Sequence, residues 1–391
     1  MRMAGEGPSQ EQSPEREVSL DPRRQEQARE YARLRRGLLA VELVLSALVV
    51  VLFLVTGASR ALADALRGAG VTDPWALVAA YLAIVYVGYT LLFAPLSWYS
   101  GFVLPHRYGL STQTRRGWLV DELKGLALGL PLGVLAGEVV YWLLRAQPNT
   151  WWIWAGLFLL GATVLLDFVA PVLIVPLFYK LRPLEDEELV GRVRQLAERT
   201  GRRVAGVYTI DLSSRTTAAN AAFLGLGRTQ RIALGDTLYA EYSHDEIETI
   251  VAHELGHQVH NDLIWGLGVQ AVLLFAALYL AHLFLQWGVT AFGFEGPGDV
   301  AGLPLLLIAA GLFSLVTLPL SNAYSRWRES RADRFALEAS GKPEAYARAL
   351  TRLANQNLAE AEPPRWVVIL LYSHPPIMER IRAAEQWAGA R

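Results

Sequence analysis

In the stretch "VAHELGHQVHND", Val251 to Asp262, His253 and His257 stand four residues apart with Glu254 between them. On a helix that spacing puts both imidazoles on one face, with Cβ atoms about 6 Å apart, so that both can reach one ion. Glu254 lies one step round, near the ion without ligating it. The combination suits hydrolysis: zinc lowers the pKa of a coordinated water to about 7, and a carboxylate beside it removes the proton. The chain has no cysteine, so a metal must be held by His, Asp or Glu.

Such a site needs a third protein ligand. The position six residues after His257, histidine in a longer version of the motif, is Leu263. His260 is an alternative by spacing, although it points about 60° away from the 253/257 direction and a turn further along. The segment "SRWRESRADRFAL" offers Glu329 and Asp333, four apart on an expected helix. One can ligate the metal while the other accepts a hydrogen bond from a ligating histidine and fixes its tautomer. Taken alone, acids among arginines read as a solvated, salt-bridged face. Their place relative to the membrane argues for the metal.

That membrane is read from composition and run length. The 391 residues are 53% hydrophobic and only 19% charged, unlike an ordinary soluble domain. A helix needs about 20 apolar residues to cross a bilayer. Six segments qualify: Gly37 to Gly57, Trp75 to Trp98, Leu126 to Leu144, Trp151 to Phe178, Leu263 to Trp287 and Leu303 to Leu320. Arg33, Arg35 and Arg36 precede the first, Arg107 to Lys124 separate the second and third, and a dense basic set from Lys180 to Arg231 follows the fourth. The loop "GVTAFGFEGPGDVAG" has neither Lys nor Arg. Basic loops stay in the cytoplasm, so both termini and both long polar segments are expected there. The fifth and sixth spans then carry the chain out and back, returning Glu329 to the face that holds His253 and His257. A net charge of −1 gives no bulk reason to expect nucleic-acid binding.

The expected organisation is a flexible N-terminal arm over 1–36, four spans in 37–178, a first polar segment at 179–262, two spans in 263–320, and a second polar segment at 321–391. "VAGVYTI" alternates as a half-buried strand, and "NAAFLGLGRTQRIAL" reads as two strands around a Gly-rich turn. Ser243 and Glu246 form the capping box of the helix that bears the histidines. Glu42, Glu138 and Asp167 fall inside apolar segments, where a carboxylate costs at least about 2.5 kcal/mol unless it faces water or a partner.

With "HELGH", "ESRADRFAL" and "YSHPPIMERI" in view, and with "PHRYGLSTQT", "FVAPVLIVPLFYKLRPL" and "SSRTTAANAAFLGLGRTQRIALGDTL" in the same order, the chain resembles the type I CAAX prenyl proteases, integral-membrane zinc endopeptidases. The resemblance implies a mostly α, polytopic membrane protein, its spans forming a barrel around a water-filled chamber that the intramembrane acids would line, with a cytoplasmic α+β zinc-protease domain. It implies one zinc per chain held by His253, His257 and Glu329, with Glu254 as general base and Asp333 as the partner of a ligand. It also implies that Asn220, His374 and Arg380 hold the substrate backbone or steady the oxyanion. His374, between Ser373 and a stiffening Pro-Pro pair, is independently a reasonable oxyanion donor, and the "NAAF" strand offers an edge for an extended peptide.

The expected partners are the lipid bilayer and a peptide or protein substrate, lipidated or membrane-embedded. The bias to Arg over Lys and to Ala points to a bacterial plasma membrane. Two other readings keep the fold: an HtpX-like quality-control protease, and a proteolytically silent receptor or transporter.

Overall fold

The computed structural model describes residues 19–225 and 230–390. The Gly-rich turn of the second strand pair falls at 226–229, outside them. The membrane part contains α1 (Pro22–Val55), a short α2 (Ala58–Gly68), α3 (Pro74–Trp98), α4 (Arg115–Ala146) and α5 (Trp151–Val169). Helix α3 runs on through a π-helical turn, Tyr99–Val103, to Arg107, and α5 through Ala170–Ile174 to Phe178. The outer part then begins with β1 (Leu181–Pro183), α6 (Glu187–Arg199), β2 (Gly206–Ile210), β3 (Ala221–Leu224), β4 (Arg231–Gly235) and α7 (His244–Val259). A second membrane passage, α8 (Asp262–Phe292) and α9 (Leu303–Ser340), precedes α10 (Pro343–Gln356), α11 (Arg365–Leu371) and α12 (Ile377–Gly389).

Six of these helices are long and apolar enough to cross a membrane: α1, α3, α4, α5, α8 and α9. They contact one another in chain order, and α9 closes against α1, so the six form a ring. Helices α1 and α3 meet through α2 and through the Ser46 and Tyr89 hydroxyls, 2.8 Å apart. The most apolar stretches of α5 and α8 bury no residue, which marks them as walls touching their neighbours only along their flanks. Side chains such as Leu91, Val172, Ile264 and Val316 stand well exposed, as a lipid-facing surface requires.

The arm expected over 1–36 needs correction. Its first eighteen residues lie outside those described, but from Pro22 onward the chain is helix, capped by Asp21 with proline in the first turn. This polar part of α1 docks on the end of α10 and the segment after it. Arg24 Nε donates to the Asn355 carbonyl (2.9 Å), Gln25 Nε2 donates to Ala359 O (3.2 Å), Gln25 Oε1 accepts from Ala361 N (3.1 Å), and Arg36 pairs with Glu360 at 2.7 Å. Polar side chains that read as solvated are here satisfied by backbone groups far along the sequence.

The sheet has the order β1-β2-β4-β3, with β2 and β4 parallel and the outer pairings antiparallel. Its apolar face packs on α6 and α7. One core joins Leu189, Val193 and Leu196 of α6, Ile232 and Leu234 of β4, and Ile247, Val251 and Leu255 of α7 with Leu337, Tyr346, Leu350 and Ile381 from beyond the second passage. The expected capping box at Ser243 and Glu246 is present and starts α7. Asn261, in the left-handed region at φ 54°, turns the chain from α7 into α8; asparagine tolerates that backbone because its short side chain bonds locally.

Candidate active site

Helix α7 delivers His253 and His257 to the face that packs on α9, and Gly256 sets how close the two helices come. A Cβ at Gly256 would lie 3.1 Å from Ala332 Cα and 3.3 Å from Ala332 O, so glycine lets the backbones nearly touch. That approach brings Glu329, from the preceding turn of α9, against both imidazoles. His253 Nε2 is 3.2 Å from Glu329 Oε2, His257 Nε2 is 3.5 Å from Oε1, and the two Nε2 atoms are 3.3 Å apart.

Each histidine is held from behind. His253 Nδ1 is 2.8 Å from Asp333 Oδ1, and His257 Nδ1 is 2.8 Å from Asp262 Oδ2. If each Nδ1 carries the proton toward its carboxylate, both Nε2 atoms present lone pairs to each other and to a carboxylate. Three electron-rich groups then converge on one point, and Glu329 Oε2 is buried there without a hydrogen bond. A buried polar atom in that state is costly unless something satisfies it. A divalent cation does so for all three donors, whose ligand atoms lie within 4.8 Å of one another. Without a cation a proton takes the place: burial works to lower the His253 pKa, but Asp333 and Glu329 outweigh it and raise it to about 9.

Glu254 lies on the next position of α7, and burial raises its pKa against the pull of His253 and His257. A carboxylate tuned upward is a better base. His374 reaches the site from the loop after α11, with Nε2 3.4 Å from Glu329 Oε2 and Nδ1 2.9 Å from Ser373 Oγ. Burial lowers its pKa. Just beside it, a cavity of about 740 Å³ is walled by α1 (Tyr31, Arg35, Glu42), by Ser100, and by His374 and Arg380.

Other expected residues fall differently. Arg380 Nε donates to Asp333 Oδ2 (2.9 Å) and Nη2 to Oδ1 (2.7 Å), which anchors the carboxylate behind His253, and the side chain also lines the cavity. Asn220 sits exposed just before β3, its Oδ1 accepting from Ala221 N at 2.9 Å. His260 caps α7 and lays its ring against Phe335, outside the group that can hold a metal. Of the intramembrane acids, Glu42 lines the cavity, Glu138 is buried with Oε2 unpartnered, and Asp167 is exposed.

Two supports escaped sequence reasoning. Tyr346 on α10 donates to Asp333 Oδ1 at 2.6 Å, and nothing in its sequence surroundings marks it. Asp262 had a signal, an acid five residues past His257 at the helix break, but only the left-handed Asn261 swings it back onto the ring.

Comparison with known proteins agrees with this geometry. Residues 183–388 match Peptidase family M48, and residues 9–180 match the CAAX prenyl protease N-terminal region, described as five membrane helices, where the described residues contain four of span length. The chain is 34% identical over 305 residues to the uncharacterized metalloprotease YhfN of Bacillus subtilis, covering 77% of this chain and 71% of that protein. It is 32% identical over 320 residues to CAAX prenyl protease 1 of Saccharomyces cerevisiae, covering 76% and 69% respectively. The crystal structure of S. mikatae Ste24p superposes with a TM-score of 0.83 at 26% identity, over 95% of this chain and 91% of that one. A closed ring of membrane helices, a metal-binding donor set at its rim and these matches lead to one conclusion: the chain belongs to peptidase family M48, as a membrane-embedded metallopeptidase related to the CAAX prenyl proteases.

Proposed function

We propose that this metallopeptidase is a zinc endopeptidase that cuts extended peptides at the cytoplasmic face of a bacterial plasma membrane, including lipidated or membrane-embedded chains. One observation carries the reading: the buried Glu329 carboxylate, one oxygen of which has no hydrogen bond, faces two imidazole nitrogens, each ring backed by a carboxylate. His253, His257 and Glu329 would hold the ion, and an all-N/O set of two imidazoles and a carboxylate is a zinc-type donor set. When bound, zinc supplies Lewis acidity, polarising a water and a carbonyl oxygen at neutral pH.

The chain's own residues do the rest. Glu254 takes the proton of the attacking water and passes it to the departing amine. His374, neutral and on the open side of Glu329, donates to the carbonyl oxygen as charge builds there. Strand β3 ends the sheet, so its outer edge is available to pair with an extended substrate, with Asn220 at its entrance. The cavity between α1 and His374 leads from the membrane wall to the site, a route suited to a substrate delivered by lipid. An intact donor set with a base beside it leaves a silent receptor or transporter without support.

The test is metal analysis beside peptide cleavage on the purified protein. Glu254→Gln should keep about one zinc per chain and lose hydrolysis, whereas Glu329→Ala should lose zinc and activity together. Cleavage by Glu254→Gln at the wild-type rate would reject the assigned base, and full zinc in Glu329→Ala would reject the third ligand. Activity on farnesylated against plain peptides decides whether lipid is part of the substrate.

A further inference from the structure

The two histidines are supported by similar chemistry from different places. Behind His253 stand Asp333, near the end of α9, and Arg380 of α12. Behind His257 stands Asp262, the first residue of the membrane-crossing α8. Asp262 is only 2% exposed. A carboxylate so buried must be paired, and its second oxygen takes a short hydrogen bond from Arg331 Nη2. Arg331 lies over the Trp327 ring, 4.6 Å from its centroid, which fixes the plane of the guanidinium. Arg328 Nη1 adds a bond to the Asp262 carbonyl at 3.1 Å. Arg328 and Arg331 flank Glu329 on one turn of α9. Thus the turn that bears the third donor also grips the carboxylate that aims the second.

We infer that Asp262 and Arg331 are positioning residues for His257: Asp262 fixes its ring with Nε2 toward the metal, and Arg331 locks Asp262 to the turn of α9 that carries Glu329. The inference rests on His253, His257 and Glu329 being the metal ligands. Its consequence is that the start of α8 and the emergence of α9 from the membrane are held in one register by the metal centre. A bland alternative exists, in which Asp262 only places negative charge in the first turn of α8 and Arg331 neutralises it. That alternative predicts an effect on folding and none on the metal.

The experiment uses the purified full-length protein loaded with zinc, or with cobalt for its visible spectrum, and measures metal retention against a competing chelator. Asp262→Asn should release metal about 10–100-fold more readily, the usual cost of removing a partner from a ligating histidine, and should alter the cobalt spectrum. Arg331→Met should shift both readouts in the same direction, Arg331→Lys should restore most of the loss, and the double variant Asp262→Asn/Arg331→Met should lose no more than Asp262→Asn alone, because Arg331 acts through Asp262. Arg331 is partly exposed, so the Met and Lys variants keep the test open if Asp262→Asn does not fold. Retention within about twofold of wild type in both single variants, or losses that simply multiply in the double, would overturn the inference. A wild-type protein that holds no metal overturns the ligand assignment itself and this inference with it.

Discussion

At the scale of single residues, the site is a competition between a proton and a metal ion for one pocket of negative charge. In the metal-free state His253 is held protonated up to about 9, since Asp333 and Glu329 overcome the burial that opposes it. Metal binding must displace that proton. Affinity should therefore fall as pH drops below about 9, by roughly tenfold per unit, and level off above it. A chelator-competition titration between about pH 6 and 9 checks this, and affinity flat across that range would place the proton elsewhere. The residues of this competition were unevenly legible. His253, Glu254 and His257 are readable because helical spacing alone puts them together. Glu329 is readable through the out-and-back path of two spans. Tyr346 and Arg331 are not, because each meets its carboxylate across an interface, and hydrogen-bond partners on separate elements leave no periodic trace. Arg380 is legible as a charged group, yet a guanidinium can serve substrate or carboxylate equally well, and no spacing pairs it with Asp333.

At the scale of elements, the contact between α7 and α9 makes the site. Both helices were foreseeable, one from its capping box and the other from its apolar run, but the closeness of their approach rests on the absence of one Cβ. Gly256→Val would drive a branched side chain into the Ala332 backbone and separate the two helices. Overpacking of this kind costs about 1–3 kcal/mol. The expected outcome is a lower unfolding temperature together with weaker metal retention; a valine variant with wild-type metal affinity would show that the approach has slack. Helix α1 teaches the opposite lesson. Its polar first turns read as a flexible arm because amphipathic patterning is weak there, whereas the actual partners are backbone carbonyls and an amide of residues 355–361. The helix begins at the Asp21 cap, with Pro22 in its first turn.

At the scale of the whole molecule, six spans leave the start of α1 and the end of α9 on the face that bears the sheet. Reporters fused after Arg36, after Lys180 and at Arg391 should all read the same side of the membrane, and one at Gly298 the other. A Gly298 fusion on the common side would break the ring and part Glu329 from His253. The hairpin of α8 and α9 also interrupts the core that carries the site, since Leu189 to Leu255 lie before it and Leu337 to Ile381 after it. During synthesis, then, a ribosome releases the two histidines long before Glu329, Asp333, His374 and Arg380 exist. A nascent chain carries only part of its metal-donor set until its final hairpin has crossed the bilayer, so it gains the means to cleave its neighbours only after its own insertion.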